Sequence, residues 1–143
     1  MNITSPTSEK DFENYFSFRW RLMRAPWNQP KGSEQDEMED SAFHVMVCEN
    51  NRIPIGTGRL HLNNADEAQI RYMAVEKFHR GRGLGTSILS ELEKEAKKRG
   101  AKSIILNARE SAIPFYRSAG YTILEPSHTL FGSIKHFKMT KHI

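Results

Sequence analysis

A single cysteine, Cys48, is all the thiol chemistry this chain of 143 residues carries. It excludes an intrachain disulfide and a cysteine metal cluster, and its setting in "FHVMVCE" reads as a buried strand without an activating partner. No metal is expected. No apolar run approaches the ~20 residues of a membrane-spanning helix, so no membrane partner is expected. The start, "MNITSPTSEKDF", lacks the basic and apolar regions of a signal peptide, which places the chain in the cytoplasm as an expectation. Repeats, low-complexity tracts and Pro/Ser linkers are also missing, so residues 1–143 read as one domain. Long basic runs are absent too. Lys and Arg number 21 against 17 acids, a net charge of +4, but they are scattered, and residues 34–40, "EQDEMED", are strongly acidic. A nucleic-acid-binding module using "RGRG" is thereby disfavoured, though the basic balance admits one.

The 38% apolar content suffices for one buried core. After a strand near Asn2–Thr4, Ser8 caps a helix to about Arg24, with Phe12, Tyr15, Phe16, Trp20 and Met23 at helical spacing. "APWNQPKGS" breaks it, and a short acidic helix with a solvated face is expected next. "FHVMVCE", the turn "NNR" and "IGTGRLHL" read as a hairpin, and "AQIRYMAV" as a further strand. From Gly85 to Arg99 a helix carries the stripe Leu84, Ile88, Leu92 and Ala96, with Leu89 beside it. Glu93–Lys97 and Glu95–Arg99 form i,i+4 pairs on its wet side, and Gly100 stops it. "KSIILNA" is a strand, Ser111–Ala119 a helix ended by Gly120, and "GYTIL" and "IKHFKMTKH" are closing strands. The fold class is mixed α/β.

Between the third long strand and its helix lies "HRGRGLGTS", three alternate glycines with two arginines. A strand, a glycine turn and a helix N-terminus together make an anion site, because free N–H groups and the positive end of the helix dipole face a backbone that a ligand can approach. A P-loop needs Gly-Lys-Ser/Thr, and no lysine stands there. A dinucleotide turn needs G-x-G-x-x-G, and from Gly81 and Gly83 the third glycine position is Thr86. Arg80-Gly81-Arg82-Gly83-Leu84-Gly85 matches R/Q-x-x-G-x-G/A instead. With its flanking strands and "AIPFYRSAGY", residues 68–124 resemble the GNAT superfamily of N-acetyltransferases.

That resemblance implies a central, mostly antiparallel sheet of six or seven strands, helices on both faces, and one splayed parallel strand pair. It implies acetyl-CoA as cosubstrate, with Arg80, Gly81, Arg82, Gly83, Leu84, Gly85 and Thr86 around its pyrophosphate. Met73, Ala74 and Val75 would pair with the pantetheine arm through their backbone, and Asn107 would fill the gap between the splayed strands. Tyr116 stands where the family often has the acid that protonates the departing thiolate. The implied reaction moves acetyl to a primary amine, of a small molecule or a peptide, by direct attack in a ternary complex. A non-catalytic acyl-CoA sensor of the same fold is the alternative. Some relatives carry a carboxylate base where Gln69 stands here, so His61, His136 or water would serve. The acidic stretch could instead border the acceptor groove and attract a cationic amine, with Trp20 and Trp27 as groove wall or core. The identity of the amine and a homodimer are left open.

Overall fold

The computed structural model describes residues 2–143. Its elements, in chain order, are β1 (Asn2–Thr4), α1 (Glu9–Met23), β2 (Phe43–Cys48), β3 (Pro54–Leu62), β4 (Glu67–Val75), α2 (Leu84–Lys98), β5 (Ser103–Arg109), α3 (Ile113–Ser118), β6 (Thr122–Leu130) and β7 (Ile134–His142). Ser8 caps α1 as expected: its hydroxyl accepts from the Asp11 N–H at 3.0 Å, and the Asp11 carboxylate reaches back to close a capping box. The seven strands form one sheet in the order β1-β2-β3-β4-β5-β7-β6, antiparallel throughout except for β4 and β5. No helix among the described residues is long and apolar enough to cross a membrane.

Helices cover both sheet faces. The stripe of α2 supplies Leu84, Ile88, Leu89, Leu92 and Ala96 to the main core, where they meet Val45, Leu60, Ile70, Ile104, Leu106 and Met139. Each such side chain contributes roughly 1.5–3 kcal/mol by leaving water. The approach is close at Gly58, where an added Cβ would stand 2.7 Å from Ile88 Cγ2 and 2.8 Å from Met73 Sδ. On the other face, Tyr15 of α1 packs with Met46 and Cys48.

Two expectations need correction. Residues 34–40 form turns rather than an acidic helix, because Glu34, Asp36 and Glu39 are drawn inward one by one. The Glu93–Lys97 pair does not form either. Glu93 accepts from Tyr121 Oη at 2.9 Å and from Lys141 Nζ at 3.1 Å, so it ties α2 to the end of β7. Glu95–Arg99 forms as expected, at 2.8 Å.

The feature that shapes the site is a break in the parallel pair. β4 and β5 run in register from Glu67↔Ser103 only as far as Ile70↔Leu106. Two residues later Tyr72 has φ +59°, in the left-handed region, and the β3–β4 register shifts there. Such a conformation costs a bulky residue roughly 1–3 kcal/mol, and a bulge bends its strand. Met73–Val75 continue alongside β3, through Thr57↔Ala74 and Gly56↔Val75, and leave β5. Their β5-facing edge has no ladder partner among the described residues.

Candidate active site

A cavity of about 600 Å³ opens at this divergence, within the range typical of cofactor sites. Met73, Ala74 and Val75 line it, together with Arg80, Gly81, Gly83, Leu84, Gly85, Thr86 and Tyr116. Most of the site residues expected from the sequence are therefore brought together. Arg82 and Asn107 are not. Arg82 turns to His79, its Nη1 2.6 Å from His79 Nδ1. Asn107 is exposed on β5 opposite Lys138 of β7. Asn107 directly follows Leu106, the last residue of β5 paired with β4, so it stands where the two strands part, but its side chain is not among those that line the cavity.

The loop fits a diphosphate. Gly81 and Gly83 both have φ +78°, and a Cβ at either would meet nothing within 4 Å, so the concave side stands open. Gly83 is the N-cap of α2 with no side-chain cap, which leaves the first N–H groups of the helix free to donate. Arg80 Nε donates to the Val75 carbonyl at 3.2 Å, which fastens the loop to the splayed strand. Among the described residues no cluster of ligands that could hold a metal ion occurs.

Tyr116 is 7% exposed, with its ring edge-on to Phe115 at 5.0 Å and Tyr121 at 5.8 Å. Among the described residues its hydroxyl has no bonding partner. Burial pushes its phenol well above the ordinary range, partly opposed by the Arg109 charge. It is thus protonated at every working pH.

Neither histidine named as a base lines the cavity. His61 is buried, with Arg59 Nη2 donating to its Nδ1 at 2.7 Å, so its other nitrogen donates to Asn63 Oδ1 at 3.0 Å. Burial, then the Arg59 charge, push it toward the neutral form. Those two bonds hold its ring away from the cavity wall. His136 donates from Nδ1 to the Ile134 carbonyl and stacks on His128 at 4.4 Å. Gln69 accepts from Asn63 at 3.0 Å. Among the described residues no carboxylate lines the cavity, and the histidine that does is His79.

The acidic stretch is accounted for differently from either expectation. Asp36 accepts from both Nη atoms of Arg59, at 2.6 and 3.0 Å, and from Arg71 at 2.6 Å. Glu39 accepts from Arg19 at 2.9 Å and from Arg59 at 2.9 Å. Arg19 and Arg59 are fully buried. Their guanidiniums lie 4.1 and 5.0 Å from the Tyr72 ring centroid, on the sheet face that α1 covers. These carboxylates hold the bulged strand; they are not free to attract an amine.

Asp36→Asn should therefore lower stability by about 3 kcal/mol, because it leaves the buried guanidiniums of Arg19 and Arg59 to share Glu39 as their one carboxylate. For a domain of this size that is a fall of roughly 10 °C in melting temperature. Burial would raise the Asp36 pKa, but the Arg59 bonds, the Met38 N–H and the Arg71 charge hold it below the ordinary carboxylate range. A depressed folded pKa gives stability that is complete above the unfolded value near pH 4 and is lost as pH falls through the folded one. Thermal melts of both proteins from pH 7 to pH 3 check this. The difference between them should shrink only below about pH 4.

Several lining residues had no sequence signal. Leu22 and Met23 reach the cavity from the end of α1, and Arg109, Ser111 and Ala112 from the end of β5 and the turn after it. Trp27 joins the wall indirectly: it stacks on Phe131 at 5.7 Å and lies under Arg109 at 5.1 Å. Trp20 donates to the Gln29 carbonyl at 3.0 Å and packs in the turn after α1.

Comparison with known proteins identifies the family and the fold. The family described as "Acetyltransferase (GNAT) family" matches residues 12–121. An uncharacterized N-acetyltransferase of Bacillus subtilis, YjcF, is 33% identical over 141 residues, covering 99% of each chain. Two solved structures share the fold at low identity. One is an aminoglycoside 6'-N-acetyltransferase complexed with coenzyme A (TM-score 0.81, 18% identity, 99% of this chain and 97% of that one). The other is the ribosomal-protein-S18-alanine N-acetyltransferase of Escherichia coli (TM-score 0.76, 23% identity, 99% and 93%). The chain belongs to the GNAT family of acetyltransferases.

Proposed function

We propose that the protein transfers acetyl from acetyl-CoA to a primary amine by direct attack, with both substrates bound together. The observation that carries this is the single cavity joining an open glycine loop, a strand edge without a partner and the Tyr116 ring. Acetyl-CoA supplies an activated acyl group, already a thioester. The loop from Arg80 to Thr86, with the exception of Arg82, holds the diphosphate through backbone N–H groups. The free edge of Met73–Val75 binds the amide-bearing arm as a neighbouring strand would, and an N–H from it polarises the acyl carbonyl. Such a donor is worth about 3–4 kcal/mol in the transition state.

Tyr116 gives its proton to the leaving sulfur. Its raised pKa suits this less badly than it first suggests, because the same burial raises the basicity of the sulfur it faces. Water takes the amine's proton, since among the described residues the cavity wall holds no carboxylate and neither His61 nor His136, and its His79 is engaged by Arg82 in the glycine loop. No covalent enzyme intermediate is required: a free amine attacks a thioester unaided once aligned. Cys48 takes no part, because burial pushes its thiol up and it lies away from the cavity.

The test is release of CoA thiol from acetyl-CoA across a panel of amines, with mass analysis of the amine. Stoichiometric acetylation of at least one amine is expected. Tight CoA binding without turnover of any amine would instead support the non-catalytic sensor.

A further inference from the structure

The sheet face under α1 carries five guanidiniums, and only three of them are ion-paired. Arg19, Arg59 and Arg71 hold Asp36 and Glu39. Arg24 and Arg109 contact no carboxylate among the described residues. Arg24 is 8% exposed, and its only partners are the carbonyls of Ser33, at 2.9 Å, and Met23, at 2.9 Å. Glu34 lies near it, but its oxygens accept from the Gly32 N–H and from Gln35 Nε2 at 2.8 Å each. Arg109 is half-buried and its guanidinium makes no hydrogen bond among the described residues.

The two arginines sit in one cluster. Arg109 lies over Trp27, Trp27 stacks on Phe131, and Arg24 lies 5.7 Å from the same Phe131 ring. Arg109 lines the cavity, and Arg24 directly follows cavity-lining Met23. Burial lowers the pKa of both, and the Arg24 charge lowers that of Arg109 further. A half-buried cation in the cavity wall with no hydrogen-bonded carboxylate, beside a second cation whose neighbouring carboxylate is Glu34, is costly unless an anion joins it. Phe131 itself has φ +52°, so the β6–β7 turn is held against this wall at some strain.

We propose that Arg24 and Arg109 are an anion-binding site for the acceptor, so that the preferred substrate is an amine that also carries a carboxylate or phosphate group. The proposal rests on the acetyl-transfer reading above. Guanidiniums suit both anions, since their planar donors bind either in a fork. A polycationic amine is disfavoured here, because Asp36 and Glu39 are already held by arginines and no carboxylate among the described residues lines the cavity.

Matched amines test it without requiring turnover. Calorimetric titration of the CoA-saturated protein compares glycylglycine with glycylglycinamide, and O-phosphoethanolamine with ethanolamine. The anionic member of at least one pair should bind about tenfold to a hundredfold tighter, and the pair that discriminates tells carboxylate from phosphate. Arg109→Gln and Arg24→Gln should remove the preference and leave CoA affinity unchanged, while the Lys variants keep part of it. Because Arg24→Gln could disturb the buried turn at Ser33, Arg109→Gln and Arg24→Lys carry the test if it does not fold. The proposal is overturned if no pair discriminates, whether by equal binding or by none, if the neutral partners bind better, or if Arg109→Gln weakens CoA rather than the acceptor. Failure of the wild type to bind CoA would overturn the acetyl-transfer reading itself, and this proposal with it.

Discussion

Tyr116→Phe should lower kcat by about 10²–10⁴-fold while leaving acetyl-CoA affinity nearly intact. The substitution removes one oxygen and keeps the ring that packs against Phe115 and Tyr121. Since the hydroxyl bonds no other protein group among the described residues, little folding stability is at stake, of the order of a few tenths of a kcal/mol. The loss should shrink with an acyl donor whose thiol is already acidic, because a stable thiolate needs no proton. A purely packing role for Tyr116, which its place in the main core also allows, predicts that Tyr116→Phe changes neither stability nor kcat by much. Single-turnover rates with a denaturation control separate the two, and an unchanged kcat removes Tyr116 from the mechanism.

Gly83→Asp should abolish CoA binding in a protein that still folds. At φ +78° an aspartate is strained by about 1 kcal/mol, but its Cβ meets no atom within 4 Å. Its carboxylate at the N-terminus of α2 even recovers part of that cost by capping free N–H groups. Those same N–H groups are the ones offered to the diphosphate. The variant therefore fills the cradle, reverses its charge and occupies its donors at once. Circular dichroism should show a native fold, and the thermal shift given by CoA should vanish.

The order of elements was readable because each strand and helix announces itself locally, through β-branched runs, the capping Ser8 and the four-residue stripe of α2. The loop was readable for the same reason, since its chemistry is contained in "RGRGLGT". What escaped was long-range. "EQDEMED" has the local pattern of a solvated helix, and only arginines 20 to 35 positions away make Asp36 and Glu39 inward-facing ligands. The bulge at Tyr72 gave no sign, because "AQIRYMAV" reads as an unbroken strand and its left-handed residue is an aromatic, not a glycine. Asn107 was assigned to the gap by the family resemblance alone. The register with β7 shows that the strand runs on to Arg109, whose side chain enters the cavity wall instead.

The central claim is that the glycine loop is a cradle for the diphosphate of CoA, and a melting titration tests it most directly. The wild-type protein is melted with increasing CoA, with NAD and with ATP. At a hundred times its dissociation constant, a ligand that binds only the folded state adds about 2.7 kcal/mol, or roughly 5–10 °C for a domain of this size. CoA and acetyl-CoA should give such a shift, and NAD and ATP far less. A shift with NAD or ATP and none with CoA would contradict the claim.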